Sequence, residues 1–191
     1  MDPINIIAGL NLAATFGANL TGAKKSLKTT VGVSKEKPKT YLQKFPLLLA
    51  TLTLIGLILG VFQIGTFTYT DNNITLRLTG LIVYIVFSWL QIWSYRTLGE
   101  NYSQEIVILK NHKLVTSGPF KLIRHPQYLS QILMDIGAGI ATLSCIVIPL
   151  AIIQIPFVIM RANLEEKLLS KHIKEFSEYK SKSGFMIPFI G

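Results

Sequence analysis

The sequence contains a single cysteine, Cys145, and it lies within an apolar run. One cysteine excludes a disulfide framework and any metal site built on several cysteines. The three histidines, His112, His125 and His172, do not form the i,i+4 pair that is typical of a zinc-binding helix. The sequence therefore predicts neither disulfides nor a bound metal.

Acidic residues and the motifs of soluble enzymes are also scarce. The chain has 10 Asp and Glu against 19 Lys and Arg, a net charge of +9. Neither a GxGxxG loop nor a P-loop occurs, and no nucleophile elbow accompanies a Ser-His-Asp set. Because no basic soluble module is visible, the positive charge indicates cytoplasmic loops and contact with anionic lipid rather than nucleic-acid binding.

Long hydrophobic runs, by contrast, are abundant. Hydrophobic residues make up 50% of the 191 positions, and the mean hydropathy is +0.45, which is typical of membrane proteins. Apolar stretches cover residues 4–20, 45–69, 76–95 and 128–160, the first of them marginal. The last is too long for one ordinary helix and short for two full spans, so it predicts a helical hairpin turning near residues 144–149. The sequence predicts an all-α polytopic membrane protein with about five transmembrane helices.

The charges of the loops predict the orientation. Three segments are basic: residues 21–44, residues 96–126 and the tail after residue 161. They alternate with non-basic links, and the link at residues 70–75 carries only one charge, that of Asp71. The positive-inside rule places the three basic segments on the cytoplasmic side and the N-terminus on the opposite side. Any site formed by these segments is therefore expected on the cytoplasmic face of an integral, multi-pass protein.

The two halves of the chain are expected to form a single structural domain. Residues 1–95 supply N-terminal transmembrane helices and a basic loop, and residues 96–191 supply the region in which any site is expected. That region comprises a loop, the helical hairpin and an amphipathic C-terminal helix. The last is indicated by apolar residues at helical spacing after Arg161, namely Leu168, Leu169, Ile173 and Phe176.

The motif Arg124-His125-Pro126-Gln127-Tyr128 stands at the start of the hairpin. Pro126 suits the first turn of a helix, where its missing N–H costs nothing. It also biases His125 toward an extended backbone. The motif is either an interfacial anchor, with Arg124 and His125 reaching the headgroups, or part of a site at the membrane surface.

A second motif, RANLEE, begins at Arg161 where the last apolar stretch ends. Arg161 and Glu165 are four residues apart and share one helical face, so they form either a surface ion pair or part of a site. A third polar segment, His112 to Val115, follows a short alternating run, and its histidine is either incidental or functional. The three segments bring Arg, His, Glu and aromatic groups close to apolar helices. This combination favours a site that binds a charged cosubstrate beside a pocket accessible to lipid.

The string HKLVTSGPFKLIRHPQY, followed by an apolar hairpin and RANLEEKLL, resembles isoprenylcysteine carboxyl methyltransferases. It is also similar to the related phospholipid methyltransferases. Both groups are integral membrane enzymes that use S-adenosyl-L-methionine. The resemblance covers about residues 98–188 and includes LGENYS and FSEYKSKSGFMIPFI. RHPxY alone is less specific, because sterol-type membrane reductases carry a similar string.

The resemblance implies a role for each matching residue. Arg161 would face and bind the acceptor and, with Arg124, act in catalysis. The cofactor pocket would be formed by His112, Lys113, Leu114, Val115, Phe120, His125, Pro126, Gln127, Tyr128, Glu165 and Glu166. Three positions depart from the family pattern, with Phe120 in place of a usual Tyr, Ser130 in place of a Gly, and Tyr102 in place of a common Trp.

The sequence alone does not decide which acceptor is methylated, and it leaves alternative functions open. The leading hypothesis is carboxyl O-methylation of a lipophilic or prenylated acceptor in the bilayer, and an amine acceptor such as a phospholipid is the first alternative. A sterol-type reductase with a nicotinamide cofactor and a non-catalytic lipid-binding protein are further alternatives. Methyl transfer is an in-line displacement that needs alignment more than acid–base groups. A short hairpin is expected to leave a lateral opening through which a lipid tail enters.

Overall fold

The computed structural model describes residues 2–110 and 112–191, and it describes the side chains of all of these except residues 19–34. Six α-helices and two short strands occur in this part of the chain: α1 (Pro3–Val33), β1 (Ser34–Glu36), α2 (Phe45–Val61), α3 (Ile74–Leu98), β2 (Ile108–Leu109), α4 (Pro126–Thr142), α5 (Val147–His172) and α6 (Phe176–Lys182). Single 3-10 turns lie at Tyr41–Gln43, Asp71–Asn73, Gly99–Asn101 and Gly118–Lys121. The predicted all-α architecture is confirmed.

Among the described residues, three segments are long and apolar enough to cross a bilayer: Tyr41–Val61, Asp71–Asn101 and Val147–His172. The helix α4 has 17 residues, a length of about 25 Å, and is shorter than a hydrocarbon core of roughly 30 Å. The apolar part of α1, Pro3–Ala18, is also shorter than a full span. The five predicted helices are present, and α2, α3 and α5 supply the full-length spans.

Two predicted boundaries are wrong. The basic loop expected from residue 21 is helical as far as Val33, because α1 continues through the lysine-rich sequence. The second span, expected to reach residue 69, ends at Val61. Gln63 and Gly65 then adopt φ angles of 62° and 66°, in the left-handed region that stops an α-helix.

The predicted hairpin is formed by α4 and α5, which turn at residues 143–146. Leu143 caps α4 in the left-handed conformation, with a φ of 46°. The helix α4 also packs closely against α3, because a Cβ added to Gly137 would lie only 2.6 Å from the Tyr84 nitrogen. Glycine at this position therefore sets the separation of α3 and α4.

A buried polar cluster lies at the end of the bundle that carries the hairpin turn. The Arg77 guanidinium pairs with the Asp2 carboxylate at 2.6 Å and donates to the Asn5 side chain at 3.0 Å. It also donates to the Ala141 carbonyl at 3.0 Å, and it lies 3.6 Å from the centre of the Tyr69 ring. The hydrogen bond from Arg77 lowers the pKa of Asp2. This cluster ties α1, α3 and α4 together.

The loops gather at the opposite end of the bundle. The strands β1 and β2 pair antiparallel there. The Gln43 side-chain amide donates to the Ile106 carbonyl at 2.8 Å and accepts from the Ile106 N–H at 2.9 Å. Ile123 forms a parallel bridge with Gly184 from the C-terminal segment. The loops between α3 and α4 and the segment after α6 therefore cover the ends of α3, α4 and α5.

Candidate active site

A pocket of about 880 Å³ lies beneath these loops. Its wall is formed by the loop from α3 to α4, the start of α4, the end of α5 and the helix α6. The predicted cofactor residues in this wall are His112, Lys113, Leu114, Val115, Phe120, His125, Gln127, Tyr128 and Glu165. Pro126 and Glu166 lie outside the lining. Segments distant in sequence thus meet around one cavity.

His112 faces this pocket with an unsatisfied nitrogen. Its Nδ1 atom is buried and has no hydrogen-bond partner within residues 2–110 and 112–191. Burial lowers the pKa of His112 below the ordinary value of 6.5, so the imidazole is neutral at pH 7. A neutral ring nitrogen without a partner in a pocket wall is suited to bind a polar group of a ligand.

Tyr128 connects Glu165 and Arg161. Its hydroxyl donates to Glu165 Oε1, and it accepts a hydrogen bond of 2.8 Å from Arg161 Nε. Arg161 Nε also lies 3.7 Å from Glu165 Oε1. The Arg161 side chain is only 9% exposed, which excludes the surface ion pair as the explanation for this i,i+4 spacing.

The Arg161 guanidinium also donates to the backbone carbonyls of Leu42, at 3.4 Å, and Gln104. Leu42 lies just before α2, and Gln104 lies in the loop after α3. Arg161 therefore holds the segment before α2 and the loop after α3 against α5. Because a guanidinium has five N–H groups, Arg161 has further N–H groups that can bind a ligand.

Arg124 binds the C-terminal segment. Its Nε atom lies 2.6 Å from Glu166 Oε1, and its terminal nitrogens donate to the carbonyls of Ser183 and Gly191. His125 Nε2 lies 3.3 Å from the same Glu166 oxygen. Arg124 and His125 are 5% and 6% exposed, so they are not interfacial anchors reaching lipid headgroups. Glu166 is directed toward this cluster, whereas Glu165 is directed toward the pocket.

A second pocket of about 690 Å³ adjoins the first. The two share Ser103, Gln127 and Tyr128 as lining residues, and Arg161 lines only the second. One side of the second pocket is formed by Pro46, Leu47 and Ala50 of α2 and by Val158 of α5. Leu47 is 54% exposed on the outer surface of the bundle. The second pocket therefore lies between the first pocket, which the loops cover, and an apolar helix surface.

Several lining residues lie outside the sequence-based prediction. The first pocket includes Glu105, Phe176 and Tyr179, to which the sequence analysis assigned no site role. The second includes the glutamines at positions 91, 104, 131 and 154. Polar residues inside apolar runs are a general signal of function in membrane helices, and that signal was available for Gln91, Gln131 and Gln154.

Comparison with known proteins agrees with the motifs. The sequence profile of the isoprenylcysteine carboxyl methyltransferase family matches residues 79–171. Over these residues, just under half of the chain, the sequence is similar to this family. The matched region starts within α3 and ends within α5, and it contains every predicted site residue. The family is one of polytopic membrane proteins, so the chain is an integral membrane protein.

Individual relatives are similar over part of their length. The protein-S-isoprenylcysteine O-methyltransferase of Saccharomyces cerevisiae is 30% identical over 132 residues, which is 65% of this chain and 54% of the relative. The protein-S-isoprenylcysteine O-methyltransferase B of Arabidopsis thaliana is 27% identical over 115 residues, 58% of each protein. The cobalt-zinc-cadmium resistance protein CzcN of Cupriavidus metallidurans is 35% identical over 82 residues, 41% of this chain and 37% of the relative. The chain thus spans less than two thirds of each of these relatives.

Proposed function

We propose that the protein is a membrane-embedded methyltransferase that uses S-adenosyl-L-methionine to methylate a carboxylate of an isoprenylcysteine-like or other lipophilic acceptor. The observation that carries this proposal is the junction of the two pockets at Tyr128. A cavity that loops cover and that has Glu165 and His112 in its wall suits the cofactor, and a neighbouring cavity bordered by apolar helices suits the acceptor. The similarity to the family and the named methyltransferase relatives support the same reaction.

The first pocket fits the methyl donor chemically. S-adenosyl-L-methionine, when bound, supplies an electrophilic methyl group on a cationic sulfur. Glu165 provides a carboxylate for its cationic groups, and the unpartnered His112 Nδ1 provides a polar contact. Phe120 and Phe176 provide aromatic surface in the same wall. The backbone of Lys113, Leu114 and Val115 completes that side of the pocket.

Arg161 is the proposed acceptor-binding residue. It lines the second pocket beside Tyr128, and its charge would orient a carboxylate toward the shared wall of the two pockets. A carboxylate is already a nucleophile at neutral pH, so alignment supplies most of the required rate enhancement. Partial dehydration beside α2 would strengthen the nucleophile further.

Arg124 and Glu166 are proposed as positioning residues, although they were predicted in catalytic and cofactor-binding roles. Their ion pair fixes the C-terminal segment against His125, whose ring packs on Phe185 at a centroid distance of 5.0 Å. Pro126 starts α4 and so sets the direction of Gln127 and Tyr128. We further propose that this face of the protein is cytoplasmic, since the basic segments gather there.

Calorimetry on detergent-purified protein tests the proposal, with S-adenosyl-L-methionine and NADPH titrated in parallel. Binding of S-adenosyl-L-methionine alone, followed by methyl transfer to N-acetyl-S-farnesylcysteine, is the expected result. Binding of NADPH alone would favour the reductase, and binding of neither by folded protein would favour a non-catalytic role. Transfer to a phosphatidylethanolamine vesicle but not to the carboxylate would identify an amine acceptor.

A further inference from the structure

The segment that follows α6 exposes an apolar turn that the proposed reaction does not use. Residues 185–190 have the sequence FMIPFI and carry no charge. Ile187, Phe189 and Ile190 are 56%, 88% and 62% exposed, although they lie outside the full-length spans. A concentration of exposed apolar side chains is typical of a surface that contacts a membrane or another protein. We call residues 187–190 the apolar turn.

Hydrogen bonds fix the conformation of the apolar turn. The Phe185 N–H donates to the Ile190 carbonyl at 2.7 Å, and the Ile190 N–H donates to the Ile187 carbonyl at 3.2 Å. Phe189 has a φ of 65°, in the left-handed region that a bulky residue rarely adopts. Strained backbone persists where its surroundings determine it, and it clusters at functional positions. Here the strained residue is also the most exposed large hydrophobic residue among those that the structure describes.

The segment is attached to the residues that precede α4. The Gly184 N–H donates to the Leu122 carbonyl at 3.0 Å, and the Arg124 N–H donates to the Gly184 carbonyl at 2.8 Å. The His125 N–H donates to the Phe185 carbonyl at 3.1 Å. Leu122 is itself 54% exposed. The apolar turn therefore lies beside the start of a helix that belongs to the transmembrane hairpin.

The bilayer is the partner that fits this position. The helix α4 is about 25 Å long and is shorter than a hydrocarbon core of roughly 30 Å. A short span is accommodated by local thinning of the bilayer, which brings the residues that flank the span to the membrane boundary. Met186 belongs to one hydrophobic cluster with Ile132 of α4 and Val158 of α5. The segment thus continues the apolar surface of the hairpin.

The same segment holds one wall of the first pocket. The helix α6 contributes Phe176 and Tyr179 to that wall, and the Tyr179 hydroxyl donates to the Phe120 carbonyl at 2.6 Å. A helix of 7 residues is too short to be stable by itself, so α6 depends on its attachments. It ends at Lys182, directly before the residues that bind the start of α4.

We infer that the apolar turn inserts into the headgroup region of the bilayer and thereby holds α6 against the first pocket. The partner of this surface is the lipid leaflet that surrounds the start of α4. Insertion requires only an integral membrane protein, and it is independent of the reaction that the first pocket supports.

Fluorescence quenching in phosphatidylcholine nanodiscs, without any cofactor, tests the insertion. Cys145 is exposed, so Phe189→Cys is prepared in a Cys145→Ser background and labelled with the fluorophore NBD. Nitroxide-labelled lipid should quench this label as strongly as one at Ile82→Cys, because Ile82 is 62% exposed on the span of α3. A label at Ser181→Cys, an exposed position of α6, is the aqueous control and should be quenched by iodide instead.

Two outcomes would overturn the insertion. One is quenching of the label at position 189 by iodide and not by lipid, as for the aqueous control. The other is a signal at position 189 that changes with the number of protein copies in a nanodisc, which would assign the apolar turn to a contact between two copies of the chain.

Hydrogen exchange tests whether the apolar turn holds α6. In the same nanodiscs, Ile190→Ser should make the amides of residues 176–182 exchange several-fold faster, because local opening of α6 becomes easier. Ile152→Ser is the matched control, since Ile152 is 58% exposed on α5 and lines neither pocket. It should leave exchange in α6 unchanged. Equal exchange in the two variants would overturn the link between the apolar turn and α6.

Discussion

The Tyr128 hydroxyl lies 2.8 Å from Arg161 Nε, and the two residues come from the facing helices of the α4–α5 hairpin. Tyr128 lines both pockets, whereas Arg161 lines only the second. The same hydroxyl donates to Glu165 in the first pocket. One phenol therefore connects the proposed cofactor ligand with the proposed acceptor ligand, and substitutions on its two sides should have separable effects.

Glu165→Gln should weaken S-adenosyl-L-methionine binding by about tenfold or more, because a charged hydrogen bond contributes roughly 1.5–3 kcal/mol. Arg161→Lys should leave that affinity nearly unchanged and reduce methyl transfer. Calorimetry and initial rates measure the two effects. Glu178→Gln is the matched control, since Glu178 also forms an i,i+4 pair, with Lys182, but on the exposed surface. Full activity and normal cofactor affinity in both site variants would refute these assignments.

Tyr128→Phe should impair both pockets at once. Loss of the hydroxyl removes a hydrogen-bond partner from Glu165 and from Arg161 while the ring is kept. We expect a several-fold increase in KM for the cofactor together with a lower kcat, measured by steady-state kinetics. Tyr41→Phe provides the comparison, because Tyr41 is 61% exposed and lines neither pocket. Wild-type kinetics for Tyr128→Phe would show that the hydrogen bonds of the Tyr128 hydroxyl have no role in catalysis.

Cofactor binding should weaken at acidic pH, once the pH falls from 6.5 to the lowered pKa at which His112 of the folded protein takes up a proton. Burial lowers the pKa of His112 in the folded protein, so below pH 6.5 the unfolded chain binds more protons and the folded state loses stability. Protonation would also place a positive charge beside a cationic ligand. Calorimetric affinities between pH 5.5 and 8 measure the effect. His112→Gln should flatten the profile, and an unchanged slope would show that His112 does not cause the pH dependence.

Gly137→Ala should destabilise the bundle. The new Cβ would lie 2.6 Å from the Tyr84 nitrogen and 2.8 Å from the Gly80 carbonyl oxygen, so α3 and α4 must separate. Overpacking of this kind typically costs about 1–3 kcal/mol, and thermal unfolding in detergent should show a lower Tm. Gly17→Ala in α1 is the matched control, since no atom of the described residues lies within 4 Å of its Cβ position. An equal Tm for the two variants would contradict the close packing.

Arg77→Leu should lower the Tm without altering the pockets at the other end of the bundle. It removes an ion pair with Asp2 and contacts to Asn5 and Ala141. Breaking a largely buried pair by removing one partner costs roughly 3–5 kcal/mol. Cofactor affinity, measured below the transition, should match the wild-type value. A normal Tm would show that the cluster does not hold α1 against α3 and α4.

Much of the architecture could be predicted because membrane helices follow from local composition. Apolar runs of sufficient length predicted α2, α3 and the hairpin, and Pro126 predicted the first turn of α4. The end of α2 was less predictable, because the left-handed conformations of Gln63 and Gly65 depend on how the following loop packs. The extension of α1 to Val33 was also missed, since a run of lysines is compatible with either helix or loop.

The motifs, by themselves, indicated the similarity to the family and most of the predicted residues that line the first pocket, because those residue types and their order along the chain carry the resemblance. Only the tertiary structure decided which way each side chain points. Glu165 and Glu166 are neighbours in sequence, yet one faces the pocket and the other binds Arg124, because successive residues of a helix point about 100° apart. Tertiary packing also decided that Gln91, Gln131 and Gln154 line one pocket, since they come from three different helices.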